Sequence, residues 1–307
     1  LYLRWLCVVI MLFPGCSSSE GSASDFDGER AFRDLESLLE VGRRVPGTEG
    51  SRQAQKFIID NLRGAGLKIE EYGFKALTPL GTIEMNNIVG IVEGTQPGVI
   101  ILSNHYDSKY FPDFKFVGAN DGGSTTAWML EVARVLGGKR NGHTIWLTFF
   151  DGEEAIQEWT DTDSLYGSRD MVLKLRTNGM LDQIKAVINV DMIGDKQLGI
   201  LRDPDAPEWL RKPIWDTAKE LGYGNHFLRE TLVIEDDHLP FRRANVPAIN
   251  LIDFKFGGGS REHDRNWHTA NDTIDKVSAE SLQIVGDVIL SALPAIEVNI
   301  RKMGSRN

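Results

Sequence analysis

Cysteine is nearly missing from this chain. Its 307 residues hold two, Cys7 and Cys16, both near the start. Beyond Cys16 the chain has no disulfide available and must be held by its packed core alone. An excess of basic charge is missing too: 34 Lys and Arg face 44 Asp and Glu, for a net charge of −10 at pH 7. A nucleic-acid partner, which needs a basic face, is not expected. Internal repeats are absent, and no Pro-, Gly- or Ser-rich break divides the chain after residue 28. One domain is the simpler organisation. The rest of the composition is ordinary for a soluble globular protein, with 41% hydrophobic and 25% charged residues.

The first residues read as an export signal. Arg4 precedes an apolar run over 5–13 that is too short to cross a bilayer as a helix. Pro14-Gly15-Cys16 comes next. A small residue before a cysteine, after such a run, is similar to the bacterial lipoprotein processing site. Residues 1–16 are expected to be a signal peptide of lipoprotein type, and 17–27, rich in Ser, Gly and Asp, a flexible linker. The folded domain is then 28–307. The expected location is the bacterial periplasm or outer membrane, or the medium, with a lipid on Cys16 as the only membrane attachment. A monomer is expected.

Apolar residues recur at helical spacing over 31–41, 51–65, 127–136, 209–221 and 278–300. Short apolar runs over 82–92, 97–103, 143–150, 186–191 and 246–254 read as strands. The alternation predicts a single α/β domain with an open, mixed but mainly parallel sheet and helices on both faces. The unbroken run Val99-Ile100-Ile101-Leu102 agrees, because a parallel strand is buried on both sides.

The polar residues that close these runs carry the chemistry. Glu153 and Glu154 sit side by side after the run 143–150, just past Gly152. Two adjacent acids at a buried strand end are costly unless each has a task. One binding a cation while the other moves a proton would supply both. His105 follows the strand at 97–103, Asp191 closes 186–191, Asp121 precedes a helix, and His268 follows the last strand after a glycine loop. Taken singly, His105 is a hydrogen-bonded histidine, Asp121 a helix cap and Asp191 a salt-bridged acid. Taken together, ligands collect outside the carboxyl ends of parallel strands, and two imidazoles with three carboxylates suit Zn²⁺.

At this density of motifs the sequence resembles the glutaminyl cyclases, which share a fold with the co-catalytic zinc aminopeptidases. The segments that carry the resemblance are His105-Tyr106-Asp107-Ser108-Lys109-Tyr110-Phe111, Phe116-Val117-Gly118-Ala119-Asn120-Asp121 and Phe150-Asp151-Gly152-Glu153-Glu154-Ala155. Trp159, the stretch from Asp163 to Arg169, the stretch from Ile234 to Phe241, and Trp267-His268-Thr269 extend it over nearly the whole domain. The resemblance implies one Zn²⁺ per chain on Asp121, Glu154 and His268. It implies Glu153 as the proton shuttle, with Asp191 and Asp236 as its acidic partners. It also implies Trp159, Glu235 and Trp267 at the substrate. The reaction implied is cyclisation of an N-terminal Gln of a peptide or protein to pyroglutamate, with release of ammonia. The rival is a two-zinc aminopeptidase, with His105 and Asp191 on the second metal; ligand inventory alone leaves the two open. Asp151 where the aminopeptidases usually have Ser, and the presence of Trp159, lean towards the cyclases. Animal members often carry a cysteine pair where this chain has Asn104 and Thr126. The glycine-rich stretch 257–266 is expected to be a mobile rim. His238 is expected to be structural, near Asp236 or Asp237, and His143, His226 and His263 carry no role.

Overall fold

A computed structural model of the chain describes residues 24–257 and 266–304. The expected signal peptide, Cys16, His263 and most of the glycine-rich rim lie outside the described residues.

Helix α1 (Gly28–Glu40) starts where the Asp27 carboxylate accepts from the Arg30 N–H, and it buries Ala31, Leu35 and Leu38. Helix α2 (Glu49–Gly64) is capped in the same way by Thr48 and buries Ala54, Ile58 and Leu62. Strand β1 (Lys68–Thr78) then turns tightly into β2 (Gly81–His105), with Thr78 facing Gly81. After β2 come α3 (Thr125–Leu136), β3 (Lys139–Phe150), α4 (Tyr166–Thr177), β4 (Ile184–Asp191) and β5 (Ile200–Arg202). The chain closes with α5 (Glu208–Glu220), β6 (Phe227–Thr231), α6 (His238–Arg243), β7 (Ala248–Ile252) and α7 (Ala279–Gly304).

The two runs at 82–92 and 97–103 join into the single element β2, but they keep separate places in the sheet. Ile88 faces Phe149 and Val92 faces Ile145, so the first half runs antiparallel to β3. Val99 faces Thr144 and His105 faces Phe150, so the second half runs parallel to it. The reversal between them passes through Gly98, whose φ of +99° favours glycine. The second half also pairs in parallel with β4, and β4 with β7. The sheet is thus open and mixed, with β1 on one edge, β7 on the other, and a parallel block in the middle.

Side chains of that block alternate between two cores. Ile100 and Leu102 pack with residues of α1, α2, α3, α5 and α7. Val99 and Ile101 pack with Met171 of α4 and Phe241 of α6. This is why the run reads as continuously apolar. Helix α7 is apolar enough to cross a membrane by length and composition, yet 67% of its most apolar window is buried against the domain.

Several expectations are corrected. Strands β1, β5 and β6 and helices α4 and α6 were not foreseen. The last strand is shorter than 246–254, and α2 begins two residues before 51. Residues 24–27 are not a free linker. Phe26 is 5% exposed, its ring centroid lies 6.2 Å from that of Trp128, and a Cβ at Gly286 would come within 2.4 Å of it. Ser24 Oγ donates to Asp287 Oδ1 at 2.6 Å.

Candidate active site

The parallel register sets His105, Phe150, Asp191 and Ile252 at one edge of the sheet, and the candidate residues gather there. After Phe150 the chain turns at Gly152, where φ is +69° and a Cβ would meet Met85 Sδ at 2.6 Å. The turn swings two acids back over the sheet. Their backbone is strapped by Asp107, whose two carboxylate oxygens accept from the Glu153 and Glu154 N–H groups at 3.1 and 3.2 Å.

Asp121 comes from an irregular turn over Ala119–Ser124, flanked by Gly118 and Gly122, both at positive φ. Two buried polar side chains hold this turn. Asp272 accepts from the Asn120 and Asp121 N–H groups at 2.7 and 3.1 Å. The fully buried Arg44 guanidinium donates to the carbonyls of Tyr106, Val117 and Gly118. His268 stands at a left-handed φ of +54°, and its ring stacks on Trp267 at 4.1 Å between centroids. The edges of Phe111 and Phe116 confine it further. A non-glycine residue held at positive φ by surrounding rings fits a functional position.

These elements bring Asp121, Glu154 and His268 together. His268 Nε2 lies 3.0 Å from Glu154 Oε1 and 3.2 Å from Asp121 Oδ2. Asp121 Oδ2 is buried and accepts no hydrogen bond. An orphaned carboxylate oxygen facing an imidazole nitrogen and a second carboxylate is a donor set that fits a divalent cation of the zinc type. A second group shares Asp121. His105 Nε2 lies 3.2 Å from Asp121 Oδ1 and 3.3 Å from Asp191 Oδ1, with its Nδ1 3.5 Å from Asp107 Oδ1. In each group the ligand atoms lie within 4.8 Å of one another.

Glu153 lies beside the first group and belongs to neither. Burial holds its carboxyl well above the usual range; the charge of His105 opposes this, and Glu154, Asp236 and Asp237 add to it. Asp236 accepts from Asn189 Nδ2 at 2.9 Å, Asn250 Nδ2 at 2.8 Å and the Asp237 N–H. Burial and then Asp191 push its pKa up to about 7. Asp191 is raised as well, by burial, against the pull of His105. Asp237 is fully buried and raised by burial and by Asp236. The acids behave as a set that shares protons.

The site opens into a cavity of about 600 Å³ walled by Trp159, Trp267, Phe254, Ile234 and Ile252. The Trp159 indole N–H donates to Glu235 Oε2 at 3.0 Å. Asp163 shapes the loop that carries Trp159 by accepting from the N–H groups of Ile156, Gln157 and Glu158. A larger hollow of about 770 Å³, between α2 and the β1–β2 hairpin, contains none of these groups.

Every candidate residue therefore falls in one place, with His105 beneath the cavity floor. His238 differs from expectation: the acid it approaches is Asp203, at 4.0 Å, and burial lowers its pKa to about 3, so it stays neutral. Sequence reasoning missed the supporting residues. Asp107 and Asp163 lay inside quoted motifs without a role. Arg44 was given no role. Asp272, far along the chain, gave no signal.

Comparison with known proteins adds to this geometry. Residues 87–293 match peptidase family M28. The chain is 30% identical over 300 residues to a glutaminyl-peptide cyclotransferase of Bos taurus, across 80% of this chain and 77% of that one. Among solved structures it is similar to a glutaminyl cyclase of an Acidobacteriales bacterium, with 39% identity, a TM-score of 0.85, and coverage of 93% of this chain and 99% of that one. It is also similar to a Zn-dependent exopeptidase from Parabacteroides distasonis, with 25% identity, a TM-score of 0.76, and coverage of 88% and 98%.

Proposed function

The chain belongs to peptidase family M28 and to the glutaminyl-peptide cyclotransferases, and from that premise we propose that it carries one Zn²⁺ on Asp121, Glu154 and His268 and converts N-terminal Gln of peptides and proteins to pyroglutamate. The observation that carries the reading is the placement of these three ligand groups at the floor of a tryptophan-walled cavity, with an uncommitted Glu153 beside them. Bound there, Zn²⁺ supplies a Lewis acid for the substrate's side-chain amide carbonyl.

The protein's own residues do the rest. Trp159 and Trp267 hold the glutamine folded back on itself and keep water away from the amide carbon. The α-amine nitrogen bonds to that carbon and the bond to the amide nitrogen breaks, so no water is consumed. Glu153 takes a proton from the attacking amine and passes one to the departing nitrogen, which leaves as ammonia. Burial raises its affinity for protons, which suits a group that must hold one between attack and departure. Asp191 and Asp236 orient the transfer and, having raised pKa values of their own, share the proton when Glu153 holds it. The enzyme is proposed to act as a monomer outside the cytoplasm, tethered through a lipid on Cys16 or released.

The group formed by His105, Asp121 and Asp191 favours a second reading, a two-zinc aminopeptidase that hydrolyses N-terminal residues. One assay separates them. The purified enzyme is given a Gln-initiated and a Leu-initiated peptide, with zinc counted in the same sample. Ammonia from the first, no free leucine from the second and one zinc per chain support the cyclase. Free leucine with two zincs supports the peptidase.

A further inference from the structure

The mouth of the cavity carries an acid that the cyclisation chemistry leaves unused. Glu235 is exposed, lines the opening, and spends one carboxylate oxygen on the Trp159 indole. It has no ion pair with any described residue. Among the described residues, the one lysine of the cavity wall is committed elsewhere. Lys109 Nζ is turned inward, 3.3 Å from Glu154 Oε2 and 3.1 Å from the Ala155 carbonyl. Trp159 is 39% exposed and Val233 is 62% exposed, so this rim is open to solvent.

A peptide with its first residue on the cavity floor can leave past the solvent-exposed side of the mouth, where Trp159 and Val233 stand. Successive Cα atoms are about 3.8 Å apart. The second and third residues therefore pass the rim at the height of Trp159 and Glu235. Resting on the cyclisation reading, we infer that Glu235 is a specificity residue: the enzyme prefers substrates with a basic side chain at the second or third position and disfavours acidic ones there. The indole N–H fixes the carboxylate in place. The apolar flanks, Trp159 and Val233, suit the alkyl stem of Lys or Arg.

The test uses three amidated peptides that differ only at position two: Gln-Lys, Gln-Ala and Gln-Glu, each followed by the same neutral residues. The readout is the kcat/KM ratio of the Lys peptide to the Glu peptide within one enzyme preparation, so losses common to all substrates cancel. The natural enzyme should show a ratio of about fivefold at low salt, the scale of one exposed ion pair gained and one repulsion lost. The ratio should shrink at about 0.3 M salt, where exposed charges are screened. Glu235→Gln keeps an oxygen for the Trp159 N–H and removes only the charge, so its ratio should fall to about one. Trp159→Phe removes the indole donor and keeps the charge, so most of the ratio should survive. A natural enzyme without preference, or a Glu235→Gln enzyme that keeps it, overturns the inference and leaves cyclisation standing. No ammonia from any of the three peptides overturns the cyclisation reading and takes this inference with it.

Discussion

Asp151 offers a sharp quantitative test of the energetics beneath the site. It closes β3, is fully buried, and anchors the first half of β2 by accepting from the Asn86 N–H at 2.9 Å. Gln55 Nε2 lies 3.5 Å from the same oxygen, while Oδ1 accepts no hydrogen bond. Burial first, and then the negative charge of Asp107, push its pKa up to about 8 from 3.8. The folded protein therefore keeps a proton that the unfolded chain has already released. Between these two values the native state binds more protons, so stability is greatest at low pH and is lost as pH rises through about 8. At about 1.4 kcal/mol per pH unit the full shift would be worth about 6 kcal/mol. Relaxation and water entry reduce such penalties to several kcal/mol, and about 2–4 kcal/mol is expected. Asp151→Asn keeps an oxygen for the Asn86 N–H and removes the ionisable group. Urea denaturation of both proteins at matched ionic strength, from about pH 5 to pH 9, measures the difference. The natural protein should lose about 2–4 kcal/mol more than the variant across that range. Parallel stability curves would refute the reasoning, because the other buried acids are the same in both.

Glu153→Gln should keep its metal and its fold and lose about 10²–10⁴-fold in kcat, and an unchanged kcat removes Glu153 from the proton transfer. Glu154→Ala and His268→Ala should each lose zinc on dialysis, measured as metal per chain; full retention in either breaks the ligand assignment. Asp191→Asn should keep one zinc per chain in a single-metal enzyme, and a fall from two to one would move the case to the aminopeptidase. Phe26→Ala should cost about 3–5 kcal/mol by the cavity it leaves between Trp128 and Gly286, read from the denaturation midpoint; a cost below about 1 kcal/mol would mean that the segment before α1 is peripheral.

The layered fold was legible because its strands are buried on both faces. Val99 to Leu102 must be apolar throughout if Ile100 and Leu102 meet one helical layer and Val99 and Ile101 the other. Strand β1 was not legible for the opposite reason. It lies at the sheet edge and reads Lys68-Ile-Glu-Glu-Tyr-Gly-Phe-Lys, with much of its surface exposed, so charge masks its alternation. Phe26 was hidden by its neighbours, since Ser22, Ala23 and Asp25 around it have the composition of a tether. The notch left by Gly286 and the ring of Trp128, both far along the chain, give the Phe26 ring its place.

The candidate site was legible through its strand ends and no further. Parallel strands put their carboxyl ends at one edge, so a list of polar residues after each strand becomes a list of neighbours. The residues that hold that list in position follow no such rule. Arg44 reaches its carbonyls from a loop near the chain start, and Asp272 grips the Asp121 turn from 151 positions away. Metal number escapes the sequence for a related reason. Asp121 points one oxygen at His268 and the other at His105, so a single carboxylate belongs to both ligand groups. Two adjacent groups of this kind have room for either two cations or one cation and a protonated imidazole, and the same residue types would serve both. The distinction lies in the balance of charge among buried acids, which is set by how closely they are packed and not by which acids are present. Counting the metal in Asp191→Asn therefore interrogates the feature that neither composition nor spacing encodes.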